Sequence, residues 1–285
     1  MICWMNGQFI EQQDLRISPY DHGFLYGLGF FETFRTYDGK VPLLKEHYQR
    51  LMMTLAAYRI EVPFTEEALQ TIITELVTRN GGEDGYFRVN VSAGEADIGL
   101  APTFYHEPTA IVFQKPLSVS SRGTEKAGHW LQIPRNTPEG AERSKGHSYG
   151  NNVLARFELP SLAHTEGFFV THFGVVAEGI TSNLFWVKKG ILYTPSLSTG
   201  ILNGITRQQV INIANGMGIE VQEGEFFVED VESAEELFIT NAIQELVPIS
   251  HIGEVQFAGA DGRFYQRLHS AYVYVLQQKI EGASQ

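Results

Sequence analysis

Short runs of β-branched and aromatic residues, punctuated by glycine turns, are scattered along this chain with no helix regularly following each strand. That irregularity is the strongest constraint on the fold. A doubly wound parallel sheet needs strand and helix to alternate, so it is excluded, and an α+β architecture is favoured. The chain opens as a hairpin: Ile2 to Met5, an Asn6-Gly7 turn, then Gln8 to Glu11. Phe30 to Tyr37 reads as a strand ending at Asp38-Gly39. Leu44, Tyr48, Leu51, Met52, Leu55 and Tyr58 recur at helical spacing. So do Leu69, Ile72, Ile73, Leu76 and Val77 within 65–79, a stretch stopped by Asn80-Gly81-Gly82. Tyr86 to Ser92 and Thr109 to Gln114 are further strands. The first part is thus a strand-rich layer covered by two helices.

A boundary falls near Lys115-Pro116-Leu117-Ser118, which predicts an N-terminal α+β domain over 1–115, a linker at 116–120 and a C-terminal domain over 121–285. The second domain reads as many short strands: 130–133, 167–171, 183–187, 191–194 and 236–240. Helices are expected at about Thr206 to Met217 and Arg263 to Ile280.

With 33 acidic against 21 basic side chains the net charge is −12, which repels phosphate backbones and disfavours nucleic acid as a partner. Cys3 is the one cysteine, so no intrachain disulfide forms. The N-terminus has no basic segment before an apolar run, and no apolar run approaches the ~20 residues needed to span a bilayer. A soluble cytoplasmic protein is the expectation. The 9 histidines are scattered without ligand spacing, so no metal site is expected.

Gly23, Gly27 and Gly29 lack the spacing of a dinucleotide fingerprint, and a bland glycine turn is the better reading. Gly204-Ile205-Thr206 precedes an amphipathic stretch, which makes Thr206 a helix-cap candidate with outward N–H groups suited to a phosphate. An ordinary capped helix accounts for the same residues. Lys145 is one of only eight lysines and sits in the polar, small-residue run Arg143 to Asn152. A lone lysine is usually a solvated charge, whereas burial beside a cation would suit it to imine chemistry. Composition does not choose between the two.

The combined pattern does. Glu178-Gly179-Ile180-Thr181-Ser182-Asn183-Leu184-Phe185-Trp186, then Leu192-Tyr193-Thr194-Pro195, then Leu202-Asn203-Gly204-Ile205-Thr206-Arg207 closely resemble the signature of the class IV aminotransferases. His47 to Leu51 looks like that family's phosphate-arginine helix, and Thr240-Asn241-Ala242-Ile243 with Pro248-Ile249 like its last cofactor loop. The resemblance covers nearly the whole chain. It implies a two-domain fold type IV enzyme, like D-amino-acid aminotransferase, with a C-terminal pseudo-barrel domain, pyridoxal 5′-phosphate (PLP) as cofactor and a homodimer.

The resemblance also assigns roles. Lys145 holds the cofactor as a Schiff base and carries the proton. Glu178 faces the pyridine nitrogen and keeps it protonated. Arg50 pairs with the phosphate, helped by the N–H groups of Ile205 and Thr206 beside Gly204. Leu202 packs on a ring face, and Tyr149 hydrogen-bonds the ring hydroxyl. Asn183, Thr240 and Asn241 complete the cofactor set. Arg88, on a predicted strand, is a candidate for a substrate carboxylate, with a structural ion pair as the bland alternative.

Three activities share the scaffold: branched-chain aminotransferase, D-amino-acid aminotransferase and 4-amino-4-deoxychorismate lyase. Ser18 to Gly27, Phe31 to Arg35 and Arg135 to Gly140 most resemble the lyases of Bacillus-like bacteria. Gly94 to Leu100 holds two acids and no arginine, a departure from the D-amino-acid branch. The lyase branch implies conversion of aminodeoxychorismate to 4-aminobenzoate and pyruvate for folate synthesis. Either aminotransferase activity is the alternative, and a non-catalytic scaffold is disfavoured because Lys145, Glu178 and Arg50 are all present.

Overall fold

Asn6 and Gly7 adopt φ values of 43° and 89°, the left-handed pair that a two-residue hairpin needs. They join β1 (Ile2–Met5) to β2 (Gln8–Glu11). The structure, a computed structural model, describes residues 1–100 and 104–282. The chain forms two compact units. One comprises Met1–Ser118, Lys145–Ser148 and Leu276–Gln285, the other Val119–Ser144 and Tyr149–Val275.

In the first unit a short helix α1 (His22–Tyr26) precedes β3 (Gly29–Arg35). Helices α2 (Leu44–Ala57) and α3 (Glu66–Arg79) follow, then β4 (Gly85–Ser92) and β5 (Thr109–Pro116). Thr65 caps α3 by accepting from the Ala68 N–H. The sheet is antiparallel in the order β2-β1-β5-β4-β3. Side chains alternate across it. On β4, Phe87, Val89 and Val91 are fully buried in a core shared with Leu51, Leu55, Leu69, Ile73 and Leu76 of the two helices. Tyr86, Arg88 and Asn90 therefore lie on the opposite face. Register pairs Phe34 with Phe87 and Glu32 with Val89, so Glu32 faces the core side while Phe31 shares the face of Arg88 and Asn90.

The Lys145–Ser148 segment lies along β3: the Phe31 N–H donates to the Lys145 carbonyl and the His147 N–H to the Gly29 carbonyl. The division of the chain is thus not made at a single linker, as the contiguous 1–115 and 121–285 expectation assumes. These long-range backbone bonds have no local sequence signal.

The second unit contains β6 (Lys126–Trp130), α4 (Gly150–Phe157), β7 (Thr165–Val170), β8 (Val176–Gly179), β9 (Asn183–Lys188) and β10 (Ile191–Pro195). Then come α5 (Ile205–Gly216), β11 (Val221–Gly224), α6 (Val228–Glu232), β12 (Glu236–Asn241), β13 (Glu245–Ile252) and β14 (Val255–Gln256). Helix α7 (Arg263–Gly282) ends the chain, and its residues from Leu276 onward group with the first unit. Strand order is β11-β10-β9-β12-β13-β6-β7-β8, with β14 on β13. β8 also lies against β9 and β10, so the sheet curls into a half-barrel. Both faces are covered. Phe168 joins one buried cluster and its neighbour Phe169 another, and Val176 and Ala177 divide in the same way. This explains why 184–187 and 237–239 read as unbroken apolar runs rather than alternating ones.

A strand expected at 130–133 forms instead at Lys126–Trp130. Close packing decides it: a Cβ on Gly128 would stand 2.6 Å from both Ile252 and Phe168. Nor is Thr206 the cap of α5. That place belongs to Gly204, because the backbone enters the helix two residues earlier and buries Thr206 in its first turn. No helix among the described residues is long and apolar enough to cross a membrane.

Candidate functional site

Lys145 owes its position to the β3 pairing just described. Its Nζ lies 4.7 Å from the centre of the Phe31 ring. The Arg88 guanidinium lies 3.6 Å from the same centre, a close cation–π contact. Arg88 Nε donates to Asn90 Oδ1 at 3.2 Å, and His147 Nε2 lies 2.9 Å from that oxygen. An amide oxygen only accepts, so His147 carries its proton on Nε2. Burial, then the Arg88 cation, push His147 down to about 4, so it is neutral near pH 7 and leaves Arg88 as the charge beside it. Gly29 is required here, since a Cβ would meet the His147 ring at 2.2 Å.

On the core side, Glu32 accepts from Arg50 Nε and Nη2 at 2.7 and 2.6 Å and from His47 Nδ1 at 2.7 Å. Burial works to raise the Glu32 carboxyl, but the Arg50 cation and the bonds from His47 and Arg50 outweigh it and hold it at about 2. His47 is pushed down by burial against the pull of Glu32, with Arg50 and Lys145 adding to the downward push. Arg50, read from the sequence as the phosphate partner, thus has two of its donors fixed by Glu32.

The second unit gathers the remaining residues around Glu178, which lies on β8 and is buried. Arg135 Nε and Nη2 donate to Glu178 Oε1 at 3.0 and 2.7 Å. The other oxygen accepts from the Leu202 N–H at 2.9 Å and from Asn183 Nδ2 at 3.4 Å. Asn183 Nδ2 also donates to the Leu202 carbonyl. Arg135 Nη1 reaches Asn151 and Asn152 on α4, whose N-cap is Tyr149. Arg143 stands 3.7 Å from Glu178 Oε1 and donates to the Gly200 and Asn136 carbonyls. Burial, then the Arg135 cation, lower Arg143 to about 10, against the pull of Glu178 and Glu139, and it stays charged.

Glu178, Asn183, Leu202 and Gly204 therefore form one cluster. A Cβ on Gly204 would fall 2.1 Å from Asn183 Oδ1, so any larger residue there must displace the Asn183 side chain. It opens α5, whose first-turn N–H groups at Ile205 and Thr206 have no carbonyl within the helix. Thr206 Oγ1 lies 3.4 Å from the Tyr272 hydroxyl. Thr240 pairs with Asn183 across the sheet, and its buried hydroxyl has no hydrogen-bond partner. Asn241 Oδ1 accepts from the Ile243 and Gln244 N–H groups and shapes the turn beyond. Sequence reasoning missed Arg135 and Arg143 as partners of Glu178.

The family described as amino-transferase class IV matches residues 29–252. Aminodeoxychorismate lyase of Bacillus subtilis (strain 168) is 41% identical over 281 residues, covering 98% of this chain and 96% of that protein. A putative branched-chain-amino-acid aminotransferase of Methanocaldococcus jannaschii is 36% identical, covering 88% of each. The solved structure of the T.th. branched-chain amino acid aminotransferase, complexed with N-(5′-phosphopyridoxyl)-L-glutamate, superposes with a TM-score of 0.85. It is 29% identical and covers 98% of this chain and 94% of its own.

Proposed function

The chain belongs to the class IV aminotransferase family, and from that premise we propose that it is a PLP-dependent 4-amino-4-deoxychorismate lyase. The observation that carries the lyase reading is the 41% identity, over almost the full length of both chains, to a protein of that activity. The Gly94 to Leu100 stretch, with two acids and no arginine, supports it against the D-amino-acid branch.

The residues fit the cofactor. A phosphate needs several donors: the first-turn amides of α5 are open, and α5 packs on β12, the strand that carries Thr240, a buried hydroxyl with no hydrogen-bond partner. Bound PLP supplies an electron sink for the carbon carrying the substrate amine. Lys145 holds the cofactor and takes the proton from substrate C4 on its Nζ. The C3–O bond then breaks, enolpyruvate leaves and is protonated at carbon to pyruvate, and the ring becomes aromatic. Glu178 binds the ring nitrogen of the cofactor and keeps its proton in place. Arg50, oriented by Glu32, binds phosphate. Arg88, on the Phe31 ring near Lys145, binds a substrate carboxylate, and neutral His147 adds no competing charge.

The test is turnover with one substrate. Purified enzyme given aminodeoxychorismate and no amino acceptor should form 4-aminobenzoate and pyruvate over many cycles. Pyruvate limited to one equivalent per site would remove the lyase reading. The 36% identity to a putative branched-chain aminotransferase favours transamination as the second reading. Faster reaction of leucine with 2-oxoglutarate would establish it.

A further inference from the structure

Glu245 stands in a backbone conformation that suits glycine, with φ +64°, yet it is a buried carboxylate. It closes the three-residue loop Ala242-Ile243-Gln244 between β12 and β13, opposite Asn241 in the strand register. Such a loop ends in a left-handed residue, and glycine or asparagine takes that place at least strain. A glutamate persists there only if its side chain is held. It is held twice. Arg122 Nε and Nη2 donate to its two oxygens at 2.8 and 2.7 Å. His269 Nε2, on α7, donates to Oε2 at 2.8 Å, and the Tyr265 hydroxyl fixes the far side of that imidazole at 3.1 Å. The loop has a further tether, from the buried Lys126 Nζ to Gln244 Oε1 at 3.3 Å. Nothing in the chemistry derived above uses this network.

We propose that Glu245 is a positioning residue for the phosphate end of the cofactor site. By locking the start of β13 to Arg122 and His269, it fixes the hairpin tip and with it the buried Thr240 hydroxyl and the Asn241 backbone. The inference rests on the PLP reading of this chain. It extends that reading to a residue outside the binding cluster, one that touches neither substrate nor cofactor.

The experiment compares wild-type enzyme with Glu245→Gly, Glu245→Gln and Arg122→Ala, each stripped of cofactor. PLP and pyridoxal, which lacks the phosphate, are titrated separately, and thermal midpoints of the stripped proteins are recorded. Glycine accepts φ +64° without strain, so Glu245→Gly removes the tether and relaxes the backbone. It should weaken PLP binding about tenfold, in the range typical of supporting-shell substitutions, and leave pyridoxal binding unchanged. Glu245→Gln keeps the side-chain length and should lose less. Arg122 is half exposed, so Arg122→Ala folds normally and should show the same selective loss, reduced in size. Unchanged PLP affinity in Glu245→Gly and Arg122→Ala overturns the proposal. So does an equal loss for PLP and pyridoxal, which marks a structural role only. Failure of the wild-type protein to bind PLP overturns the cofactor reading itself, and the inference with it.

Discussion

Arg135 directs two donors, Nε and Nη2, onto one oxygen of Glu178, and the two side chains are 6% and 5% exposed. Buried pairs of this kind are costly to break from one side, because the remaining charge keeps its desolvation penalty without a partner. Arg135→Met should therefore lower stability by about 3–5 kcal/mol. Arg135→Met with Glu178→Leu should cost less than the sum of the two single changes. Urea denaturation of the four proteins closes this cycle, and additive losses would contradict the pairing.

Reduction of the cofactor-loaded enzyme with borohydride, followed by peptide mapping, should place the label on Lys145 and on none of the other lysines. Lys145→Ala should give a colourless protein without turnover. A labelled peptide elsewhere removes Lys145 from its proposed role.

Acid should weaken the fold in two windows. His147 sits at about 4, below its ordinary 6.5, through burial and the Arg88 cation, so the unfolded chain takes up that proton first as pH falls. Its contribution is complete above about 6.5 and is lost between there and about 4, and His47 acts in the same direction. Glu32 sits at about 2 against an ordinary 4.5. Its contribution is complete above 4.5 and is lost as pH falls toward 2. His147→Asn should flatten the upper window and Glu32→Gln the lower. Denaturation midpoints measured across the pH range read both, and an unchanged profile in either variant counts against the assigned cause.

We expect a homodimer in solution. Phe24 is 75%, Ile98 74% and Leu100 82% exposed, and the α1 and 94–100 segments that carry them are joined by the bond from the Gly99 N–H to the Tyr26 hydroxyl. Exposed apolar surface of this kind marks an association face. Light scattering should give twice the chain mass, and Phe24→Asp with Leu100→Asp should shift it toward the monomer. An active wild-type monomer refutes the expectation.

The elements easiest to read from sequence were those whose side chains keep one period. β4 alternates buried and half-buried residues along most of its length, and α3 places Leu69, Ile72, Ile73 and Leu76 on one face. What escaped depends on partners far away in the chain. β6 carries a buried lysine and a glycine where an apolar run is expected, because Gly128 lets Ile252 and Phe168 close in. α4 begins Gly150-Asn151-Asn152, poor helix formers, and its buried Asn152 serves Arg135 rather than a hydrophobic stripe. Among the candidate site residues, Glu178 stands out by its motif, whereas Arg135 lies 43 positions before it and is joined to it only by the fold. Gly204 was noticed for its place before a helix. Its close approach is to Asn183, which no spacing rule connects to it.

The pairing of Lys145–Ser148 with β3 has a consequence for solubility. β3 is the outermost strand of its sheet and carries the run Phe30, Phe31, Glu32, Thr33, Phe34. Left uncovered, its unpaired backbone groups would be a template for recruiting strands from other molecules. The segment that bears Lys145 occupies part of that edge. Any change that loosens this segment therefore also uncovers a surface prone to aggregation, so the proposed role of Lys145 ties catalytic competence and resistance to self-association to the same few backbone bonds.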